Sequence, residues 1–300
     1  MNDHLLADST LRLTDGSDYG VILSGKAQGF PVFYCHGSGS SRLESLILSE
    51  AAYRKEVLLI GIDRPGIGKS TWKSDFQILQ WPKVISEIAK QFAYREFSVL
   101  GVSAGGPFAL ACAYRLPAQL WACGLVSTVS PAELLAKKGS VLLKITYWLS
   151  RKQPRLFNRY LEMTVKDSLK ETVSDPGYLF KYGLLLCRKD RELLADPKIG
   201  RLLSKAMAES YRQSANAGKQ TAALLSNDWG FAPSEVDFSK IYFWHGKKDR
   251  IMPIKAAEVF AKQLPQAEIS TDATGGHFSV LAENTDIILQ KLTKKQTEPG

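Results

Sequence analysis

Long apolar runs, paired cysteines and clustered metal ligands are all missing from this 300-residue chain. The longest apolar stretches, such as Val57 to Ile62 and Leu120 to Val126, are strand-sized. They fall far short of the roughly 20 residues that a bilayer-spanning helix needs, which excludes a transmembrane segment. The four cysteines, Cys35, Cys112, Cys123 and Cys187, are widely spaced, and the first three lie in apolar text. That excludes a disulfide framework or a zinc knuckle and points to small buried hydrophobes. With no metal-ligand spacing either, no metal and no cofactor is expected. The N-terminus, Met1-Asn2-Asp3-His4, has no basic region leading into an apolar run, so no secretory signal is visible and a cytoplasmic location is expected. Internal repeats and low-complexity tracts are also lacking.

What is present is the composition of an ordinary globular chain, 45% hydrophobic and 23% charged, enough for one or two cores. Lys and Arg number 39 against 30 Asp and Glu, a formal charge of +9. Between residues 131 and 235 there are 18 basic and 11 acidic residues, against 21 and 19 elsewhere, so the excess is regional. The bases are spread over several helices with acids between them, the pattern of solvated faces, and no nucleic-acid partner is expected. The basic region leaves open an anionic substrate or a weak association with a membrane surface.

The chain alternates β-rich runs with helical spacing. Leu11 to Asp15 and Tyr19 to Ser24 read as a hairpin, and Phe30 to Cys35, Val57 to Asp63, Phe97 to Gly101 and Trp121 to Ser127 as buried strands. Leu43 to Ala52, Ile78 to Phe92 and Gly105 to Arg115 carry helical spacing between them. From Pro131 to about Glu235 the text turns helical, as in Glu133 to Trp148, Asn158 to Lys170, Tyr178 to Leu186 and Gly200 to Leu225. Ile241 to Trp244, Pro253 to Leu264, Glu268 to Thr271 and Val280 to Leu292 then restore the strand-helix rhythm. The expected fold is therefore α/β: a mostly parallel twisted sheet of about eight strands, helices on both faces, and an inserted all-helical unit. Residues 1–130 and 236–300 would form the core and 131–235 the insert. Trp148, Phe157, Tyr160, Tyr178 and Trp229 read as core aromatics of that insert, and none is assigned to binding.

Gly101-Val102-Ser103-Ala104-Gly105 stands between a strand and a helix, the setting of a G-x-S-x-G nucleophile elbow. A turn that sharp leaves no room for β-carbons at Gly101 and Gly105, and it exposes a strained serine above a helix N-terminus. A serine hydroxyl needs a base to become a nucleophile, and the base needs a carboxylate to orient it. Of four histidines, His277 lies between the last strand and the last helix and is the expected base. Asp249, after the strand Ile241 to Trp244, is the expected acid, with Asp272 as the other nearby carboxylate.

With His36-Gly37-Ser38-Gly39-Ser40, Asp63-Arg64-Pro65-Gly66, Trp244-His245-Gly246 and Gly275-Gly276-His277 following in order, the chain resembles the α/β-hydrolase fold family over nearly its whole length. The resemblance implies a catalytic order Ser103, Asp249, His277, oxyanion donors at the amides of Ser38 and Ala104, and loop-shaping roles for His36, Gly37 and His245. It also implies that 131–235 is a cap over the site. The expected activity is cleavage of a carboxylic ester, with a small ester-like molecule as substrate; amides, thioesters and carbon-carbon bonds stay open. Because position 103 is serine, the carboxylate nucleophile of dehalogenases of this fold is not supported. A ligand receptor that keeps the fold without turnover is the competing reading.

Overall fold

The computed structural model describes residues 4–138, 141–153, 155–159, 162–163, 186–264 and 266–294. Its centre is a sheet of eight strands: β1 (Leu5–Arg12), β2 (Asp18–Gly25), β3 (Phe30–Cys35), β4 (Val57–Ile62), β5 (Phe97–Val102), β6 (Leu120–Val126), β7 (Ile241–Gly246) and β8 (Glu268–Asp272). They lie in the order β1-β2-β4-β3-β5-β6-β7-β8. β1 pairs antiparallel with β2, and β2 with β4. All pairings from β4 through β8 are parallel. Every residue of β4 and β5 is buried, as expected where helices cover both faces of a parallel sheet. At the edges, β1 and β8 are largely exposed.

Helices α1 (Ser49–Arg54), α2 (Trp81–Gln91) and α3 (Gly106–Arg115) belong to the first half. In the second half are α4 (Ala132–Lys138), α5 (Val141–Lys152), α6 (Arg188–Ala195), α7 (Pro197–Ser210), α8 (Asn216–Ser226), α9 (Ile254–Ala261), α10 (Ser279–Glu283) and α11 (Thr285–Lys291). One face of the sheet packs Phe33, Val99 and Phe243 against Trp81 and Ile85 of α2, Phe108 of α3 and Phe260 of α9. The other packs Leu59, Leu100 and Val126 against Ala52 of α1, Leu281 of α10 and Ile288 of α11. Between β6 and β7 the described residues hold α4 to α8 and no strand. No helix among the described residues is long and apolar enough to cross a membrane.

Differences from the sequence reading have local causes. β1 starts at Leu5 instead of Leu11, because an edge strand exposed on both faces carries no apolar alternation. The helix expected over Val280 to Leu292 breaks at Asn284, whose side-chain amide donates to the Val280 carbonyl at 2.9 Å, while the Thr285 hydroxyl donates to that of Leu281. Such side chains compete with the helical ladder. Glu133 to Trp148 forms two helices, α4 and α5, and Gly200 to Leu225 is interrupted between Ser210 and Asn216. Most of Asn158 to Lys170 and Tyr178 to Leu186 lies outside the described residues, as do Tyr160 and Tyr178. Phe157 and Trp229 are buried, but Trp148 is 54% exposed and is not a core residue.

A parallel sheet delivers its strand ends to one edge, and there the following loops converge. His36 follows β3, Ser103 follows β5, Ser127 follows β6, Asp249 follows β7 and His277 follows β8.

Candidate active site

Ser103 is the first residue of a short 3-10 turn, Ser103–Gly105, that leads from β5 into α3. Its φ of 51° is left-handed, a conformation that costs an L-residue on the order of 1–2 kcal/mol. The turn is tight enough that a β-carbon on Gly105 would run into the Cys35 carbonyl, and one on Gly101 would come within 2.7 Å of the Gly106 Cα. Glycine at both positions is therefore a steric necessity. The Ser103 carbonyl accepts from the Val129 amide at 3.0 Å, which fixes the turn from the side of β6.

The Ser103 hydroxyl stands 3.0 Å from His277 Nε2, and His277 Nδ1 stands 2.8 Å from Asp249 Oδ2. Asp249 Oδ1 accepts the amides of Ile251 and Met252 at 2.9 and 2.8 Å, so the carboxylate is clamped in its own loop. Since a carboxylate only accepts, the imidazole carries its proton on Nδ1 and offers Nε2 to the serine hydroxyl. His277 is buried, which disfavours its charge, yet the carboxylates of Asp249, Asp190 and Glu44 outweigh burial and hold its pKa above the ordinary 6.5. Asp272, the other carboxylate considered, turns inward on its own loop and accepts from the amides of Thr274 and Gly275 at 2.9 Å each.

The main chain of His277 is gripped on both sides. Its carbonyl accepts from the Ser127 hydroxyl at 2.9 Å, and its amide donates to Asp190 Oδ2 at 3.0 Å. Ser127 is itself left-handed, with φ 44°.

On the opposite side of Ser103 lies the loop after β3. A β-carbon built on Gly37 would sit 3.6 Å from Ser103 Cβ, so this loop borders Ser103. Ser38 is exposed, and its amide meets no acceptor among the described residues. Ala104 is buried in the 3-10 turn that opens onto α3, where the leading amides have no acceptor within the helix. The loop is held from behind: the Gly37 amide donates to Glu44 Oε2 at 2.7 Å, and the Arg64 guanidinium donates to the carbonyls of His36 and, at 2.9 Å, Gly37. Burial pushes the Glu44 carboxyl up and the Arg64 guanidinium down to about 10.

His36 and His245 take no part in the serine contact. His36 accepts the Arg64 amide on Nε2 at 3.3 Å and faces the Gly37 carbonyl with Nδ1 at 2.9 Å. Burial and the Arg64 charge hold its pKa well below 6.5. His245 donates from Nε2 to the Met252 carbonyl at 2.7 Å, and burial lowers its pKa as well. Both rings are neutral struts that shape the loops carrying the hydrogen-bonded line.

Three contributors escape sequence reading. Glu44 and Ser127 carry no motif signal, and Asp190 sits in the charged string Arg188-Lys189-Asp190-Arg191-Glu192, which reads as a solvated helix face. Only the fold shows that Asp190 is fully buried. Among the described residues no group of three or more His, Cys, Asp or Glu side chains is arranged to hold a metal ion.

Comparison with family models matches the alpha/beta hydrolase fold over residues 31–283. Comparison with curated protein sequences finds no match. Similar solved structures include an esterase from Exiguobacterium antarcticum, with 18% identity, TM-score 0.69, and coverage of 95% of this chain and 97% of that one. An esterase from a Rhodococcus species matches with 17% identity, TM-score 0.67, and coverage of 96% and 100%. The epoxide hydrolase CorEH matches with 16% identity, TM-score 0.69, and coverage of 95% and 97%.

Proposed function

Because the chain belongs to the α/β hydrolase fold family, we propose that it is a serine hydrolase that cleaves a carboxylic ester, or a related acyl bond, through an acyl-enzyme intermediate. The observation that carries this reading is the hydrogen-bonded line Asp249, His277, Ser103, with contacts of 2.8 and 3.0 Å ending on a left-handed serine. Solved esterases of similar fold favour an ester over other acyl bonds.

In the first half-reaction Ser103 Oγ attacks the acyl carbon while His277 Nε2 takes its proton. Asp249 keeps the imidazole in the Nδ1-protonated form and stabilises the imidazolium. The negative charge that develops on the acyl oxygen is met by the amides of Ala104 and Ser38, each worth about 3 kcal/mol in the transition state. His277 then protonates the leaving alcohol and draws a proton from water as the water oxygen attacks the acyl enzyme; the imidazolium returns that proton to Ser103 Oγ as the acid is released. The stretch 131–235, helical in its described elements α4 to α8, serves as a cap that walls the site from water and selects the acyl and alcohol groups. Nothing in this cycle calls for a cofactor.

Purified protein assayed on a panel of p-nitrophenyl esters, alongside Ser103→Ala, tests the reading. Turnover that is lost in the variant is the expected result. Turnover of equal rate in the variant defeats it.

A further inference from the structure

Asp190 is 0% exposed although it lies in α6, between four charged neighbours and 87 residues from its partners. Among the described residues its carboxylate meets no cation. Oδ2 accepts the His277 amide at 3.0 Å, and Oδ1 accepts the amides of Phe278 and Ser279 at 3.1 and 2.9 Å and the Ser279 hydroxyl at 2.8 Å. Ser279 Oγ in turn accepts the Gly276 amide at 2.8 Å. Three consecutive amides and a hydroxyl thus converge on one carboxylate. Gly276 makes room for it, since a β-carbon there would overlap the Asp190 carboxyl. Around this contact Leu186 and Leu194 pack with Phe278 and Ile251, the neighbours of His277 and Asp249.

An unpaired carboxylate is expensive to bury unless donors surround it, and here every donor belongs to the loop that carries the imidazole. We propose that Asp190 is a positioning residue for His277: the stretch between β6 and β7 supplies the anion that fixes the base, so the hydrogen-bonded line is complete only while α6 is docked on the loop after β8. This rests on the reading of His277 as general base. It makes one part of the proposed cap a fixed wall of the site.

The imidazole is faced by Asp249 from the loop after β7, by Glu44 from the 3-10 helix Arg42–Leu48, by His245, and by Asp190 from α6. Removing the Asp190 carboxylate leaves the imidazole's own two hydrogen bonds, to Asp249 and Ser103, intact. The test compares wild type, Asp190→Asn and Asp190→Glu by ester kinetics and by NMR titration of the His277 ring, identified by its loss in His277→Gln. In Asp190→Asn, kcat should fall by about tenfold or more with KM little changed, as for a slightly misplaced base. The His277 titration midpoint, and with it the acid limb of kcat/KM, should move to lower pH because a carboxylate that favours the imidazolium is gone. Asp190→Glu keeps the charge and should keep the midpoint while losing rate.

A folded Asp190→Asn with wild-type kcat and midpoint overturns the proposal. If that variant does not fold, Ser279→Ala decides: a fall in kcat at constant KM supports it, and an unchanged rate overturns it. Should wild type turn over no ester, the hydrolase reading fails by itself, and the NMR midpoints still decide the part played by Asp190.

Discussion

Ser103 is held against its own conformational preference, and that strain gives a stability prediction separate from activity. Ser103→Gly removes the β-carbon from a left-handed position and should be more stable than Ser103→Ala by about 1 kcal/mol, read from urea unfolding. Both should be inactive. Asp249→Asn preserves shape but loses the acceptor that sets the imidazole tautomer, so kcat should fall by about 10⁴ with little loss of fold. Acylation needs a neutral His277, whose pKa stands above 6.5, so kcat/KM should rise with pH through a midpoint above 6.5. A midpoint below that value contradicts the electrostatics described. Ser103, Asp249 and His277 are legible in the sequence because each sits in a short motif at a strand end. Asp190 and Glu44 are not, because a charge in helical text carries no mark of burial and their partners are set by packing.

At the scale of elements, Arg42 joins four segments. Its guanidinium bonds Asp8 of β1 at 2.7 and 3.0 Å, Asp63 after β4 at 2.7 Å and Glu209 of α7 at 2.7 Å. Asp63 is buried, and burial pushes its carboxyl up despite the Arg42 charge. Arg42→Met leaves that carboxylate buried without its cation and should cost about 3–5 kcal/mol of unfolding free energy. Glu209→Gln, at the partly exposed end, should cost far less, and equal losses in the two variants would contradict this ranking. Of the elements, β3 to β7 were legible almost to the residue, because buried parallel strands are short apolar runs bounded by turns. What was not legible were the start of β1 and the breaks within helices. β1 has no buried face to impose alternation, and the break at Asn284 comes from side chains that bond to carbonyls one turn back.

For the whole molecule, the sheet gathers five loops at one edge, and two buried histidines brace them. The unfolded chain protonates His36 and His245 near 6.5, whereas the folded chain does so only at lower pH. Between those values the unfolded state binds more protons, so stability should fall as pH drops below about 6.5. His277 acts in the opposite sense, with a contribution that is lost as pH rises through its raised folded value. Unfolding free energies at pH 5.5 and 7.5 should therefore differ less in His36→Asn than in wild type, and an unchanged difference would show that His36 is not held neutral. The central claim, that the line ending on Ser103 is a working nucleophile, is tested most directly by a fluorophosphonate probe with mass spectrometric mapping of the adduct. The account predicts a single adduct on the Ser103 peptide, formed much more slowly in His277→Gln. A folded protein that takes no label, or labels at another serine, would contradict it.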